Sequence, residues 1–411
     1  MVVVVVSFNE YLEEAKNTHM THIEDLVLDG GVDGTRQAIL ALRALRDMLS
    51  GNSSRSTNVT VKWDGAPAVF AGIDPSDGEF FVAKKGIFNK NPKVYKSHAD
   101  IDDDTSGDLA SKLKIAYTEL KKLGIKGVIQ GDIMFTKPDL KRERIEGEQY
   151  VTFHPNTIVY AIPVDMADDV LNAEIGVVWH TTYKGDSFEN MNASFGVNIS
   201  TLKKVKSVWS RSADLPDMSG TATLTKDESE AVTKHLSNAG KLFNKIKGNV
   251  LKEVSVNKPI NLAINTFNNT KVRGAERIID ASTHVTELIT WIYKRYQKDI
   301  DKLKSDAGKN KKTAARDEVL SFFDSKNNKN GLINMISLQN ELVGAKELLI
   351  SKLSEVSDIK TFVKTTNGFK ITGDEGFVVI DKLTDGAVKL VNRMEFSTNN
   401  FNPDIIKGWQ K

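Results

Sequence analysis

The stretch richest in chemistry is Lys62-Trp63-Asp64-Gly65, which follows a strand-like run at Val59 to Val61 and leads into Ala66-Pro67-Ala68. This order predicts a lysine at a strand end, facing a tight glycine turn. Such a lysine suits attack on phosphorus. An amine attacks only when deprotonated, so the chemistry needs a metal, a second cation or a low dielectric to lower its pKa from the free value of about 10.4. A lone Lys-x-Asp-Gly is also an ordinary turn, and the motif alone identifies nothing.

Further residues fall at other strand-like runs. Phe81-Val82-Ala83-Lys84-Lys85-Gly86 ends in two basic residues and a glycine, and Gly127 to Phe135 carries Asp132 in its middle. Gly176 to Tyr183 is an alternating run holding Trp179 and Tyr183. Near the end, Asp374-Glu375-Gly376-Phe377-Val378-Val379 is followed by Val388-Lys389-Leu390-Val391-Asn392-Arg393. In this order the pieces resemble the motifs of the covalent nucleotidyltransferase superfamily, which contains ATP-dependent DNA ligases, RNA ligases and mRNA-capping enzymes.

The resemblance implies that Lys62 takes up AMP and that Lys389 is a second catalytic lysine contacting the α-phosphate. It implies nucleotide-binding roles for Asp64, Gly65, Lys84, Lys85, Asp132 and Trp179, and metal-holding roles for Glu375 and Asp132. Trp179 or Tyr183 would stack on adenine, although aromatics on an alternating strand also read as core. Three departures stand out: lysines replace an arginine at positions 84 and 85, Asp132 replaces a glutamate, and Val391 replaces a second lysine. The lost charge falls to Arg393 or to no residue. The implied cofactors are ATP and Mg²⁺ or Mn²⁺, and the implied partners are RNA or DNA ends.

The implied fold is α+β, a nucleotidyltransferase domain of the ligase-adenylation, ATP-grasp-like kind built from antiparallel sheets with helices, plus an inserted helical domain. The organisation expected is an N-terminal helical segment (1–57), a first sheet part (58–224), a helical block (225–365) and final strands (366–411). Helices are expected at Ile39 to Leu49, Leu109 to Leu123, Glu228 to Ile246, Ala275 to Lys304 and Glu341 to Leu353, with Gly30, Gly31 and Gly34 as breaks. Strands return at Gly368 to Ile380 and Ala387 to Phe396. Only Ser397 to Lys411 follows the last motif, where DNA ligases and capping enzymes carry an oligonucleotide-binding barrel, so an RNA ligase is favoured. A DNA nick ligase is one alternative. A nucleic-acid-binding or virion protein with a degenerate nucleotidyltransferase fold is another.

Composition sets the outer bounds. The 411 residues are 40% hydrophobic and 8% aromatic, enough for two or three cored domains. With 56 Lys and Arg against 54 Asp and Glu, a nucleic-acid surface must come from local clustering, as at Lys302 to Arg316 or among Lys93, Lys96, Lys137, Lys141, Arg142 and Arg144. The absence of cysteine excludes disulfides, thiolate zinc sites and a cysteine nucleophile, and suits a reducing cytoplasm. No apolar run approaches the roughly 20 residues of a membrane span. Met1 to Val6 is too short for a signal core, and His19 with His22 lacks the partners of a metal site. Asp100 to Asp104 reads as a helix start or a solvent loop. Ser7 to Ala15 is similar to capsid-targeting peptides of tailed bacteriophages, which implies the cytoplasm of an infected bacterium and packaging in the virion; an amphipathic helical turn is the plainer reading.

Overall fold

The computed structural model describes residues 21–51, 58–215, 223–355, 359–381 and 386–410. The expectations for Ser7 to Ala15 and for His19 lie outside them. The strands begin with β1 (Thr21–His22), β2 (Asn58–Lys62), β3 (Ala68–Ile73), β4 (Phe80–Ala83) and β5 (Val128–Thr136). They continue with β6 (Lys141–Ile145), β7 (Glu148–Phe153), β8 (Ile158–Pro163), β9 (Ile175–Lys184), β10 (Asn192–Phe195) and β11 (Val208–Ser212). The last are β12 (Lys360–Thr365), β13 (Gly368–Ile371), β14 (Gly376–Asp381), β15 (Gly386–Leu390) and β16 (Ile405–Ile406). With helices in the same chain, the class is α+β.

The strands form three sheets, in the orders β1-β15-β14-β2, β10-β9-β5-β3-β4 with β11 beside β9, and β13-β12-β8-β7-β6 with β16 beside β12. The β1–β15 and β11–β9 pairs run parallel within this mainly antiparallel set. The first sheet positions the chemistry. It brings β2, near the start of the chain, against β14 and β15 near the end, with Gly376 opposite Lys62 and Val378 opposite both Thr60 and Lys389. Residues directly opposite one another share a face and successive residues alternate, so Lys62, Thr60, Val378 and Lys389 project from one side. Val59, Phe377, Val379, Val388 and Leu390 project from the other, buried in the largest apolar core.

Helices cover that back face. Gly31–Leu49 and the block from Lys226–Lys245 to Lys326–Ser354 bury Leu42, Leu45, Val232, Leu236, Leu338 and Leu342 in the same core. The helical block, which lies between β11 and β12 in sequence, thus shares its interior with the sheet that carries Lys62. Its helices have side-chain starts: Thr225 and Glu228 cap reciprocally, and Asp280 accepts from the N–H groups of Ser282 and Thr283.

Three local expectations change. Gly30 and Gly31 do mark a break, between helices Leu26–Asp29 and Gly31–Leu49, but Gly34 lies in the first turn of the second helix; a Cβ on it would meet the Leu26 carbonyl oxygen at 2.4 Å, so this glycine serves close packing and does not break the helix. Lys360–Thr365, placed in the helical block by the sequence pattern, is strand β12. Strand β15 ends at Leu390, and a helix, Arg393–Phe401, replaces the expected continuation to Phe396. Asn392 explains the change, because its side chain accepts from the Glu395 N–H at 3.3 Å and starts the helix.

Candidate active site

Lys62 is the last residue of β2, and its amine is ion-paired with the carboxylate of Glu375, the residue just before β14. The Lys62 side chain is 27% exposed and that of Glu375 only 9%, so the amine is reachable while its anion is sunk. Lys389 lies on the same face, and burial followed by the charge of Lys62 pushes its amine below the usual lysine range.

The loop after Lys62 is tied down at two places. The buried carboxylate of Asp64 accepts from Asn156 Nδ2 at 2.8 Å and from the backbone N–H groups of Thr157 at 2.6 Å and Ile158 at 2.9 Å. The Asp64 N–H donates to the Tyr160 hydroxyl at 2.7 Å. Three of roughly four acceptor positions are thereby occupied within the protein. Asp64 braces the lysine loop against the start of β8, and its expected role as a nucleotide ligand gives way to that bracing. Gly65 is needed for a close approach, because a Cβ there would stand 2.5 Å from Asp132 Cβ and 2.9 Å from Met134 Sδ. The Ala66 N–H donates to the Ile133 carbonyl and the Ile133 N–H to that of Pro67, both at 3.0 Å, which seats the loop on β5 beside Asp132.

Asp132 and Glu375 are both raised by burial in spite of the cations near them. Burial pushes Asp132 up to about 7, with Glu375 and Asp64 adding to the rise and Lys62 and Lys85 opposing it. Burial also raises Glu375, against the pull of Lys62 and Lys389. His180 Nε2 lies 3.7 Å from Asp132, but burial pushes that imidazole down to about 4, so it is neutral at pH 7 and offers no counter-charge. Two buried carboxylates with raised proton affinity fit a hard divalent cation. Mg²⁺ commonly takes one or two carboxylates and completes its shell with water and phosphate oxygens. Among the described residues no group of three or more His, Cys, Asp or Glu is placed to hold an ion alone.

The other expected residues divide. Lys84 is held by Asp104 at 3.1 Å, whereas Lys85 is exposed and its charge reaches Asp132, so of the two it is Lys85 that acts on the site. Trp179 is fully buried in the core between β9 and helix Gly107–Leu120, with its indole N–H on Ser210 Oγ at 2.8 Å, and cannot stack on a nucleotide. Tyr183 is buried as well, against Phe70 and Phe88, and donates to Gln130. The strand offers His180 to the pocket in their place, a residue one step out of phase with the aromatic choice. Arg393 does not replace the charge missing at Val391, since it grips Asp25 at 2.8 Å and Asn269 at 2.7 Å. No sequence motif marked Asn156, Thr157 or Tyr160, because their contribution is a backbone brace without chemistry of its own.

Three of the six cations expected in loops of the sheet region are paired: Lys93 with Asp104, Lys96 with Asp74 and Asp77, and Lys137 with Glu174. Lys141, Arg142 and Arg144 are exposed on edge strand β6. Asp100 to Asp104 lies in helix His98–Asp104, and Asp104 is held below the usual carboxylate range by Lys93, Tyr95 and Lys84. No helix among the described residues is long and apolar enough to cross a membrane. A family model described as a family of unknown function, DUF6267, matches residues 17–405. No curated protein and no solved structure matches the chain.

Proposed function

The chain belongs to the DUF6267 family, and from its pocket we propose that it is an ATP-dependent polynucleotide ligase with a nucleotidyltransferase fold, acting on RNA ends through AMP carried on Lys62. The carrying observation is the meeting of Lys62 with Glu375, beside Lys389 and Asp132, from opposite ends of the chain. Ordinary strand ends do not converge on one another with two amines and two carboxylates lifted by burial.

In the proposed first step the Lys62 amine attacks the α-phosphorus of ATP, an N–P bond forms, the bond to the β-phosphate oxygen breaks and pyrophosphate leaves. Lys389 and Lys85 offset charge on the phosphates from two sides. At rest Lys62 is held by Glu375 as an ion pair and is not a nucleophile. Glu375 and Asp132 would hold Mg²⁺, which would supply neutralisation of the charge on the phosphates. To attack, the Lys62 ammonium must give up its proton to solvent, a loss that the nearby charge of Lys389 favours. The AMP then passes to a 5′-phosphate, and a 3′-hydroxyl displaces it to join the strands.

Incubation with α-labelled ATP and Mg²⁺ should label the wild-type chain and leave Lys62→Ala unlabelled. Equal labelling of the two would overturn the reading. Sealing of 5′-phosphorylated single-stranded RNA in preference to a nicked DNA duplex is the expected substrate profile, and the reverse preference would make the chain a DNA nick ligase.

A further inference from the structure

A groove of about 760 Å³ lies away from Lys62, among the helices Lys258–Arg273, Ala281–Asp301 and Asp306–Ser321. Its walls include Leu262, Ala263, Ile292, Trp291 and Tyr296. Leu262 is 68% exposed, an apolar side chain left open to solvent. The aromatic rings are each covered by a cation: Arg295 stands 4.9 Å from the Trp291 ring and Lys312 stands 5.1 Å from that of Tyr296. Just outside, Arg316 covers the half-exposed Tyr293 at 4.9 Å. Asp299, the acidic residue of the lining, is already paired with Lys312 at 3.6 Å.

Charge decides which partner fits. Between Trp291 and Arg316 the chain has nine Lys and Arg against three Asp, whereas the whole protein has a net charge of only +2. The rest of the chain is therefore net acidic, and this one segment carries a concentrated excess of positive charge. Lys302, Lys304 and Lys311 in it are exposed. Flat aromatic faces alternating with mobile cations around an apolar floor match unpaired bases joined by phosphates. A folded duplex hides its base faces, and a protein partner would not call for so many cations with so few anions among them.

We infer that this groove holds a single-stranded stretch of nucleic acid, with bases stacked at Trp291 and Tyr296 and phosphates met by Arg295, Lys312 and the lysines beside them. An entering base displaces Arg295 from the indole face and leaves its guanidinium to a neighbouring phosphate. Helix Lys258–Arg273, one wall of the groove, also packs against helix Arg393–Phe401, whose Glu395 borders Asp374 next to the Lys62 pocket. The inference deepens the ligase reading by giving the helical block a substrate-holding task.

The test uses the full chain and a labelled 5′-phosphorylated RNA of about 20 nucleotides, followed by anisotropy over a range of salt. The exposed pair Arg295→Glu with Lys312→Glu should raise Kd about tenfold or more and reduce the salt slope by about two, with melting unchanged. Tyr296→Leu, which keeps an apolar side chain but loses the ring, should weaken binding about fivefold. Unchanged RNA affinity in both variants would overturn the inference, as would tighter binding to phosphatidylserine vesicles than to the RNA. Labelling by α-labelled ATP on the same samples separates the two readings. Labelling retained with RNA binding unmoved removes the groove alone, whereas an unlabelled wild type whose RNA binding still depends on Arg295 and Lys312 removes the ligase reading alone.

Discussion

Two lysine–glutamate pairs in this protein use the same chemistry to opposite ends. Lys346 meets both carboxylate oxygens of Glu24 at 2.8 Å, with the side chains only 1% and 5% exposed. Burial works to raise the Glu24 carboxyl, yet Lys346, His22 and Arg393 hold it below its ordinary range. Lys62 and Glu375 are more open, and there burial prevails, so Glu375 sits above its ordinary range. The difference lies in the neighbours. Arg393 adds positive charge near Glu24, while Asp64 adds negative charge near Glu375. The first pair is a staple between the N-terminal segment and helix Lys326–Ser354; the second is one that the proposed chemistry requires to part.

Lys62→Ala should give the sharpest contrast: AMP uptake lost entirely, with a melting temperature close to wild type at pH 7. A large fall in stability would mean that the two pairs are alike. Lys346→Met should instead cost about 3–5 kcal/mol in denaturant unfolding, because it strands a buried carboxylate. Glu24→Leu combined with Lys346→Met should recover most of that loss. The sign with pH follows from the lowered Glu24 carboxyl. Its stabilisation is present above the unfolded value of 4.5 and disappears as pH falls through the lower folded value, so the double variant should lose less stability on acidification than the wild type.

Asp132 gives the opposite slope. Its carboxyl titrates near 7 in the folded chain against an ordinary 3.8, so the folded state holds the extra proton between those values, and this group's contribution to stability falls as pH rises across them. In metal-free buffer Asp132→Asn should therefore be more stable than wild type at pH 8, by on the order of 1–3 kcal/mol, and equal to it near pH 4. The same change should abolish Mg²⁺-dependent labelling. Stability gained where activity is lost is the mark of a site held in an unfavourable state for function.

How far the sequence could reach is visible in these same residues. Lys62, Glu375 and Lys389 were legible because each stands at or in an apolar strand flanked by a glycine or a charge, and the register of β2 with β14 and β15 follows from their alternation. The α+β class and most helices were legible for the same reason, and the helical segment expected to stop at Leu123 does stop there, with Gly124 at φ 63° behind it. The expected run of strand through Arg393 fails because Asn392 looks like a strand residue until its capping bond is seen. Asp64 was misread because its partners at Asn156 to Ile158 are distant in sequence and are mostly backbone groups. The sharing of one core by the helical block and the first sheet could not be read at all, since nothing local says which face a helix meets.

Trp179 provides the finest test of the division between scaffold and site. From Ile175 to Trp179 every residue of β9 is buried, so the period-of-two signal that should tell inside from outside is absent in that half of the strand. The pattern resumes only at half-buried His180, which is why the aromatic seemed the better candidate. Were Trp179 a nucleotide platform, Trp179→Phe would weaken ATP binding while leaving the fold nearly untouched. Its position in the core, with the indole N–H on Ser210, predicts the reverse: a loss of about 1 kcal/mol in unfolding, from the hydrogen bond and the smaller ring, with AMP uptake by Lys62 unchanged. His180→Ala, beside Asp132, should leave stability within about 0.5 kcal/mol but shift the pH dependence of labelling. Calorimetry and label transfer on the two variants together decide which of these adjacent residues belongs to the scaffold and which to the pocket.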